Sequence, residues 1–213
     1  MVVIYPFDNS TKFLNPVIVD DVIKSYIKDI HTHFSDETYV ESLEIVANSE
    51  STSTILYLGH GSSDELQMNI NLGLTSDYAS SIFSNKKLLL VSCYSADFLD
   101  ALNNKFEVGI GFGNIIDSKV DLGPADYIRY NFEDFKCIYE FRSKFVTLLK
   151  NSLIEAYLNN YTFFQLYTAF KLRINKIISQ CSLSKDKTTR LVGLLMFDLK
   201  KNMVLKGNSK AFL

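Results

Sequence analysis

Apolar residues along this chain occur in two patterns that alternate with each other. Short unbroken apolar runs predict strands that are buried on both faces of a sheet. They cover Val2–Tyr5, Ile55–Leu58, Lys87–Val91, Phe106–Phe112, Leu191–Phe197 and Met203–Leu205. Between the runs, apolar residues recur at three- and four-residue steps, which predicts amphipathic helices. Strands alternating with helices of crossover length predict an α/β fold, a three-layer α/β/α sandwich whose mostly parallel sheet carries helices on both faces.

The first helix has the clearest start signal. Asn15-Pro16 combines an N-cap residue with proline at the first helical position, and apolar residues continue at helical spacing as far as Phe34. Thr38–Ala47 suits either a helix or a strand, and we prefer the helix. Further helices are predicted over Ser76–Phe83, from close to Ser95, and over about Cys137–Leu158 and Thr162–Ser179.

Composition narrows the kind of protein. A chain of 213 residues that is 47% hydrophobic can bury one full core, so we expect a single domain over residues 1–213. A net charge of -2 offers no basic field for nucleic acid. The first residues resemble a strand and not a signal peptide, and no apolar run is long enough to span a membrane. Three widely spaced cysteines favour reduced thiols, so we expect a soluble, cytoplasmic protein.

Two of the predicted buried strands end in residues that can perform chemistry. Ile55–Leu58 runs into Gly59-His60-Gly61, and Lys87–Val91 runs into Ser92-Cys93. Functional groups in open α/β sheets collect beyond the carboxyl ends of the strands. His60 and Cys93 therefore share one rim if their strands are neighbours. Either motif alone has an ordinary explanation, a capping histidine or a packed cysteine, so the prediction depends on both.

A histidine beside a cysteine suits acyl transfer. A thiolate attacks a carbonyl carbon far better than a thiol, and imidazole holds or delivers a proton near neutral pH. A helix that begins near Ser95 would lower the pKa of the Cys93 thiol, since its unpaired amides favour negative charge. The amides of Gly61 and Cys93 would hold the oxyanion of the tetrahedral intermediate. We therefore expect peptide hydrolysis in which His60 protonates the leaving amine, without a metal or a cofactor.

The segments ILYLGHGS and KLLLVSCYSA resemble those of caspase-like (clan CD) cysteine peptidases, especially the bacterial CHAT-domain branch. In that branch an apolar strand ends in His-Gly and a later one ends in a small residue followed by Cys. The likeness covers Thr54–Lys150, where EVGIGFGNIID is similar to a glycine-bearing strand and ADYIRYNF to the helices after it. The resemblance implies a caspase-like sheet and a thiol protease that uses a His-Cys dyad.

The resemblance is incomplete after the cysteine. Ser92-Cys93-Tyr94-Ser95 stands where caspases have Gln-Ala-Cys-Arg-Gly, so a preference for aspartate is not implied. Asp97, Asp117 and Asp121 lie in segments expected to form the pocket for the residue before the cleaved bond. An acid there would pair with a basic side chain of the substrate. Solvated loop acids or a helix N-cap explain each of these aspartates equally well.

The resemblance also implies a biological role, a bacterial defence or cell-death effector that cleaves a protein target during antiviral defence. Since a free cytoplasmic protease is dangerous, we expect latency imposed by a regulatory or sensor partner, by a disordered loop or by self-cleavage, with mobile segments at Lys185–Arg190 and Asn114–Pro124. Two other classes of function stay open. One is a catalytically inactive caspase-like interaction scaffold, and the other is a small-molecule-binding domain with its ligand on the same rim.

The remaining candidates have structural explanations. His31 and His33 are expected near the end of the first helix, with no role in chemistry, and Cys137 and Cys181 are expected to be packing residues. Glycines at positions 109, 111 and 113 lie within a predicted strand. Their spacing is not a dinucleotide fingerprint, and it predicts instead the close approach of another backbone or of a ligand.

Overall fold

A six-stranded sheet forms the centre of the computed structural model, which describes residues 1–6, 8–32, 47–48, 54–69, 71–116 and 136–213. Its strands are β1 Val2–Ile4, β2 Asp29–His31, β3 Thr54–Leu58, β6 Lys87–Val91, β7 Val108–Gly111 and β8 Val204–Gly207. Their order is β2-β1-β3-β6-β7-β8, with β8 antiparallel to β7 and the other neighbours parallel. A separate antiparallel hairpin joins β4 Glu65–Gln67 to β5 Gly73–Thr75. The predicted α/β fold with a mostly parallel sheet is confirmed.

Helices cover both faces of this sheet. Within the described residues they are α1 Asn15–Ile18, α2 Asp21–Ser25, α3 Ser76–Ile82, α4 Ser95–Ala101, α5 Lys136–Leu158, α6 Phe163–Ser182 and α7 Lys187–Lys201. Leu56 and Leu89 pack against α1, α2 and α5–α7, while Ile55 and Leu88 pack against α3, α4 and the hairpin. Because successive residues of a strand face opposite layers, burial on both sides accounts for the unbroken apolar runs. None of these helices has the length and apolar content needed to cross a bilayer.

The glycines of β7 allow α4 to lie directly on the sheet. A Cβ at Gly111 would lie 2.6 Å from the carbonyl oxygen of Ser95, and one at Gly109 would lie 2.7 Å from a methyl group of Leu99. Neither position has room for a side chain. The predicted close approach of another backbone is therefore confirmed, and it brings the start of α4 against the end of β7.

The predicted long first helix is wrong beyond its start. A helix starts at Asn15, but its N-cap residue is Leu14 and not Asn15, and a 3-10 turn over Thr11–Leu14 precedes it. Asp20 then leaves the helical conformation at φ -64° and ψ 129° and caps a second short helix by accepting from the Val22 amide at 3.1 Å. The chain then forms β2, which pairs in parallel with β1 at the edge of the sheet. His31 consequently lies in a strand and not at a helix end, while His33 lies outside the described residues.

The predicted strand over Leu191–Phe197 is also wrong, because these residues lie inside α7. Asp186 caps that helix by accepting from the Thr189 amide at 2.7 Å. A short apolar run does not by itself distinguish a buried strand from a buried helix, and here the cap and the burial of Val192, Leu195, Met196 and Leu199 decide for the helix. The segment Lys185–Arg190, predicted to be mobile, contains this cap and the first turn of α7.

The other predicted elements are found close to their expected positions. The runs ending at Tyr5, Val91 and Phe112 contain β1, β6 and β7, while those at Ile55–Leu58 and Met203–Leu205 overlap β3 and β8. Residues 38–46, whose structure was ambiguous, and residues 117–124 of the second segment predicted to be mobile lie outside the described residues.

Candidate functional site

The candidate site lies beyond the carboxyl ends of four neighbouring parallel strands. In the order β1, β3, β6 and β7, the segments after these strands contain Asp8, His60, Cys93 and Ile115. The chain forms β2 on one side of β1 and later strands on the other, so the order reverses between β1 and β3. Such a switch point leaves a crevice where α/β proteins bind their ligands.

The predicted proximity of the histidine and cysteine segments rests on the register of β3 and β6. Leu58 pairs with Val91 as the last residue of each strand, and the Gly59 amide donates to the Val91 carbonyl at 3.1 Å. Both strands therefore end at the same level. Beyond the strand ends the two segments come into contact, because a Cβ at Gly61 would lie 3.2 Å from the carbonyl oxygen of Cys93.

A sharp strand-to-helix turn presents Cys93. Tyr94 has a left-handed backbone at φ 53°, a conformation that costs a bulky residue about 1–3 kcal/mol and persists only where its surroundings hold it. Ser95 supplies that support, since its hydroxyl lies 2.7 Å from the Leu90 carbonyl and accepts from the Phe112 amide at 2.9 Å. The turn therefore joins β6, β7 and α4 at one buried side chain.

The sulfur of Cys93 lies against the backbone of Ile115. The Ile115 amide donates to the sulfur at 3.3 Å, and the Ile115 carbonyl oxygen is 3.2 Å from it. The amide favours the thiolate, whereas the carbonyl oxygen, which accepts from the thiol, favours the protonated form. At the start of α4, the amides of Tyr94 and Ala96 donate to the carbonyls of Gly113 and Phe112, and the predicted effect of this helix on the Cys93 thiol stays a prediction.

Exposure separates Cys93 from the other two cysteines. Cys93 is partly exposed, whereas Cys137 and Cys181 are each 1% exposed. Burial also raises the pKa of the Cys181 thiol above its usual value. The predicted packing role of Cys137 and Cys181 is confirmed, and Cys93 is the cysteine that solvent can reach.

A buried tyrosine on β3 holds the backbone of His60. The Tyr57 hydroxyl, on β3, lies 2.6 Å from the carbonyl oxygen of His60 and 2.6 Å from that of Gln67 on β4. The Gln67 amide in turn donates to the His60 carbonyl at 3.0 Å. These contacts fix the backbone of His60 between the sheet and the hairpin.

The ring of His60 meets two residues that the sequence analysis missed. Its Nε2 atom lies 2.5 Å from the Ser10 hydroxyl oxygen and 3.1 Å from Oδ2 of Asp8. Both residues follow β1 directly, and β1 neighbours β3. The available signal was therefore an acid just after a predicted buried strand, but the order of the strands is needed to place it beside His60.

Asp8 is held as an ionised carboxylate. Partial burial pushes its pKa upward, but hydrogen bonds donated by Ser10 and Thr11, together with the nearby His60, outweigh burial and lower the pKa below its usual value. The Asp8 carboxylate therefore places a negative charge beside the imidazole at neutral pH.

The substrate-binding aspartates receive no support in the described part of the site. Asp97 is exposed in the first turn of α4, where a carboxylate is favourable for the helix itself. Asp117 and Asp121 lie outside the described residues. Their predicted role in recognising a basic side chain stays a prediction.

Comparison of the chain with protein-family models and with curated protein sequences gave no match. The caspase-like and CHAT-like resemblance of the two motifs therefore stays a prediction. What the structure adds is the contact between the two motifs at one rim, and the two residues after β1 that meet the histidine.

Proposed function

We propose that this protein is a cysteine peptidase in which Cys93 is the nucleophile and His60 the acid/base. The observation that carries the proposal is the contact between the segments after β3 and β6, where Gly61 lies against the backbone of Cys93. Three further features support it: the partial exposure of Cys93, the hydrogen bond that the Ile115 amide donates to its sulfur, and the ionised Asp8 beside His60.

The proposed reaction proceeds through an acyl-enzyme. The Cys93 thiolate attacks the carbonyl carbon of the scissile peptide bond, and the amides of Gly61 and Cys93 hold the resulting oxyanion. His60, which has taken the proton of the Cys93 thiol, gives that proton to the leaving amine as the C–N bond breaks. A water molecule, deprotonated by His60, then attacks the thioester, which releases the carboxylic acid and returns the thiol.

The biological setting is proposed from the motif resemblance alone. We place the protein in the cytoplasm as a bacterial defence or cell-death effector that cleaves a protein target under the control of a sensor or regulatory partner. The three cysteines, all within the described residues, form no disulfide with one another, which suits a reducing compartment. Of the three proposed substrate-binding acids, Asp97 lies at an exposed position in the first turn of α4, where its substitution tests the proposed recognition of a basic side chain.

Thiol reactivity tests the proposal directly. Native protein is treated with iodoacetamide across a pH series, and labelling of each cysteine is followed by mass spectrometry. We expect Cys93 to react at least about tenfold faster than Cys181 near neutral pH, because Cys93 is partly exposed whereas Cys181 is buried and burial raises the pKa of its thiol. His60→Ala should slow Cys93 and leave Cys181 unchanged.

Cleavage is tested separately with a fluorescent casein substrate and with a panel of fluorogenic peptides. The proposal expects cleavage that Cys93→Ser and His60→Ala both abolish. Fast labelling without cleavage identifies an activated nucleophile in a latent protein, and a partner is then sought. Slow labelling of Cys93, equal to that of Cys181, would overturn the proposal and favour the inactive interaction scaffold.

A further inference from the structure

We propose that Asp8 and Ser10 form a clamp that fixes the orientation and the proton position of the His60 ring. The Asp8–Ser10 clamp consists of the Asp8 carboxylate, the Ser10 hydroxyl and the ring atom Nε2 of His60. This inference rests on the proposed function, since it assigns positioning residues to the same histidine. Neither clamp residue belongs to the Gly-His-Gly or Ser-Cys motif.

The carboxylate of Asp8 is immobilised before it meets the histidine. Its Oδ1 atom accepts from the amides of Ser10 and Thr11 at 2.7 and 2.8 Å and from their hydroxyls at 2.6 and 3.1 Å. Thr11 is itself buried, and its carbonyl accepts from the Tyr5 hydroxyl at 3.0 Å. Oδ2 is thereby left facing the His60 ring.

The same contacts determine which ring nitrogen carries a proton. The Ser10 hydroxyl has one hydrogen, and it donates that hydrogen to Oδ1 of Asp8 at 2.6 Å. Its oxygen therefore accepts from His60, so Nε2 is the donor across the 2.5 Å contact. A carboxylate oxygen 3.1 Å from Nε2 reinforces this choice, because it would repel a lone pair there.

A proton on Nε2 leaves Nδ1 as the basic nitrogen of a neutral ring. In the proposed reaction, Nδ1 is then the nitrogen that takes a proton from a thiol or a water and returns it to a leaving amine. Ser10 cannot itself be the nucleophile of a serine hydrolase, because it and Asp8 meet the same nitrogen of the ring. The clamp thus assigns Asp8 and Ser10 to positioning and leaves the chemistry to Cys93.

The charged and titratable groups around this site come from several elements. Asp8 approaches from the segment after β1, Glu65 from β4 and Cys93 from the segment after β6. Burial raises the pKa of the Tyr57 hydroxyl well above its usual value, and these three groups raise it further. Within this environment, the Asp8–Ser10 clamp contacts the His60 ring directly. Ser10 does so through a hydrogen bond, and Asp8 does so through its carboxylate.

The direct test is NMR of ¹⁵N-histidine-labelled protein, with the His60 signals assigned by His60→Gln. In native protein we expect the neutral ring to carry its proton on Nε2, and in Asp8→Asn and Ser10→Ala we expect a mixture of the two tautomers. Asp29→Asn is the matched control, because Oδ2 of Asp29 lies 3.2 Å from Nε2 of His31 on the edge strand, and within the described residues that nitrogen makes no hydrogen bond. It should leave the His60 tautomer unchanged.

Alkylation of Cys93 gives the second readout. Loss of the favoured tautomer should slow iodoacetamide labelling of Cys93 by about tenfold or more in Asp8→Asn and Ser10→Ala, with Cys181 unchanged. Ser10→Thr keeps the hydroxyl and should keep the rate within about twofold of native. A merely structural role of the clamp would lower stability without moving the tautomer ratio.

The two proposals fail in different ways. If clamp variants shift the tautomer while native Cys93 reacts no faster than Cys181, the clamp stands and the peptidase proposal is wrong. If native Cys93 reacts rapidly while both clamp variants keep the native tautomer and rate, the clamp is wrong and the peptidase proposal stands. A proton on Nδ1 in the native neutral ring would overturn the clamp at once.

Discussion

Gly61 lies so close to Ser92 that a Cβ at residue 61 would be 2.8 Å from the Ser92 hydroxyl oxygen. The same atom would be 3.2 Å from the carbonyl oxygens of Cys93 and Glu65. The absence of a side chain at Gly61 therefore sets the separation of the histidine segment from the cysteine segment.

Gly61→Ala should push these two segments apart. We expect a loss of stability of about 1–3 kcal/mol from overpacking, and a fall in Cys93 alkylation of about tenfold as the histidine segment moves. Both are measured on one preparation, by urea unfolding and by mass spectrometry. Gly193→Ala, where the added Cβ would meet Cys181 between α6 and α7, is the control and should leave the labelling of Cys93 unchanged. Native labelling in Gly61→Ala would show that the contact does not position the site.

Two buried serines beside Cys93 should respond in opposite directions to alanine. Ser92 Oγ is buried and has no hydrogen-bond partner among the described residues, so Ser92→Ala removes an uncompensated polar group and should stabilise the protein by about 1 kcal/mol. Ser95 Oγ contacts the ends of β6 and β7, so Ser95→Ala should destabilise it by about 1–3 kcal/mol. Urea unfolding of both variants decides the matter. A loss of stability in Ser92→Ala would indicate a partner for its hydroxyl.

The candidate catalytic pair was predictable from the sequence because each residue follows a continuous apolar run. A run such as Ile55–Leu58 marks a strand buried on both faces, and the residue after it lies on the rim whatever the order of the strands. Strand order was still needed to bring His60 close to Cys93, through β3 beside β6, and to bring Asp8 to His60, through β1 beside β3. Strand order depends on long-range packing, so neither periodicity nor a local motif reveals it. The apolar run Leu191–Phe197 was wrongly predicted as a strand, because a buried helix and a buried strand are both apolar over a few residues.

The lowered pKa of Asp8 makes its contribution to stability depend on pH. A carboxyl whose pKa is lower in the folded than in the unfolded protein stabilises the fold above its unfolded pKa of about 3.9, and this contribution is lost as the pH falls through the folded pKa. The difference in free energy of unfolding between native protein and Asp8→Asn should therefore be largest near neutral pH and shrink below about pH 5. Urea unfolding across this pH range measures it.

Asp186→Asn provides the comparison for this pH effect. Asp186 also has a lowered pKa, because it accepts from Thr189 at the start of α7, far along the chain from the site. Its removal should show the same sign of pH dependence without changing the labelling of Cys93. A difference between native protein and Asp8→Asn that does not change with pH would show that Asp8 does not act as a carboxylate.

The hydroxyl of Tyr57 is the last contact that we expect to separate positioning from packing. Tyr57 is fully buried, and its hydroxyl lies 2.6 Å from the carbonyl oxygens of both His60 and Gln67. Tyr57→Phe keeps the ring in the core but removes the donor, so we expect a loss of about 1–2 kcal/mol and slower labelling of Cys93. The matched control is Tyr167→Phe. Tyr167 lies on α6, and the substitution removes its hydroxyl, which donates to the Met203 carbonyl at 3.2 Å. Tyr167→Phe should lose stability while Cys93 is labelled at the native rate. If Cys93 is labelled equally fast in Tyr57→Phe and Tyr167→Phe, the Tyr57 hydroxyl supports the fold and not the position of His60.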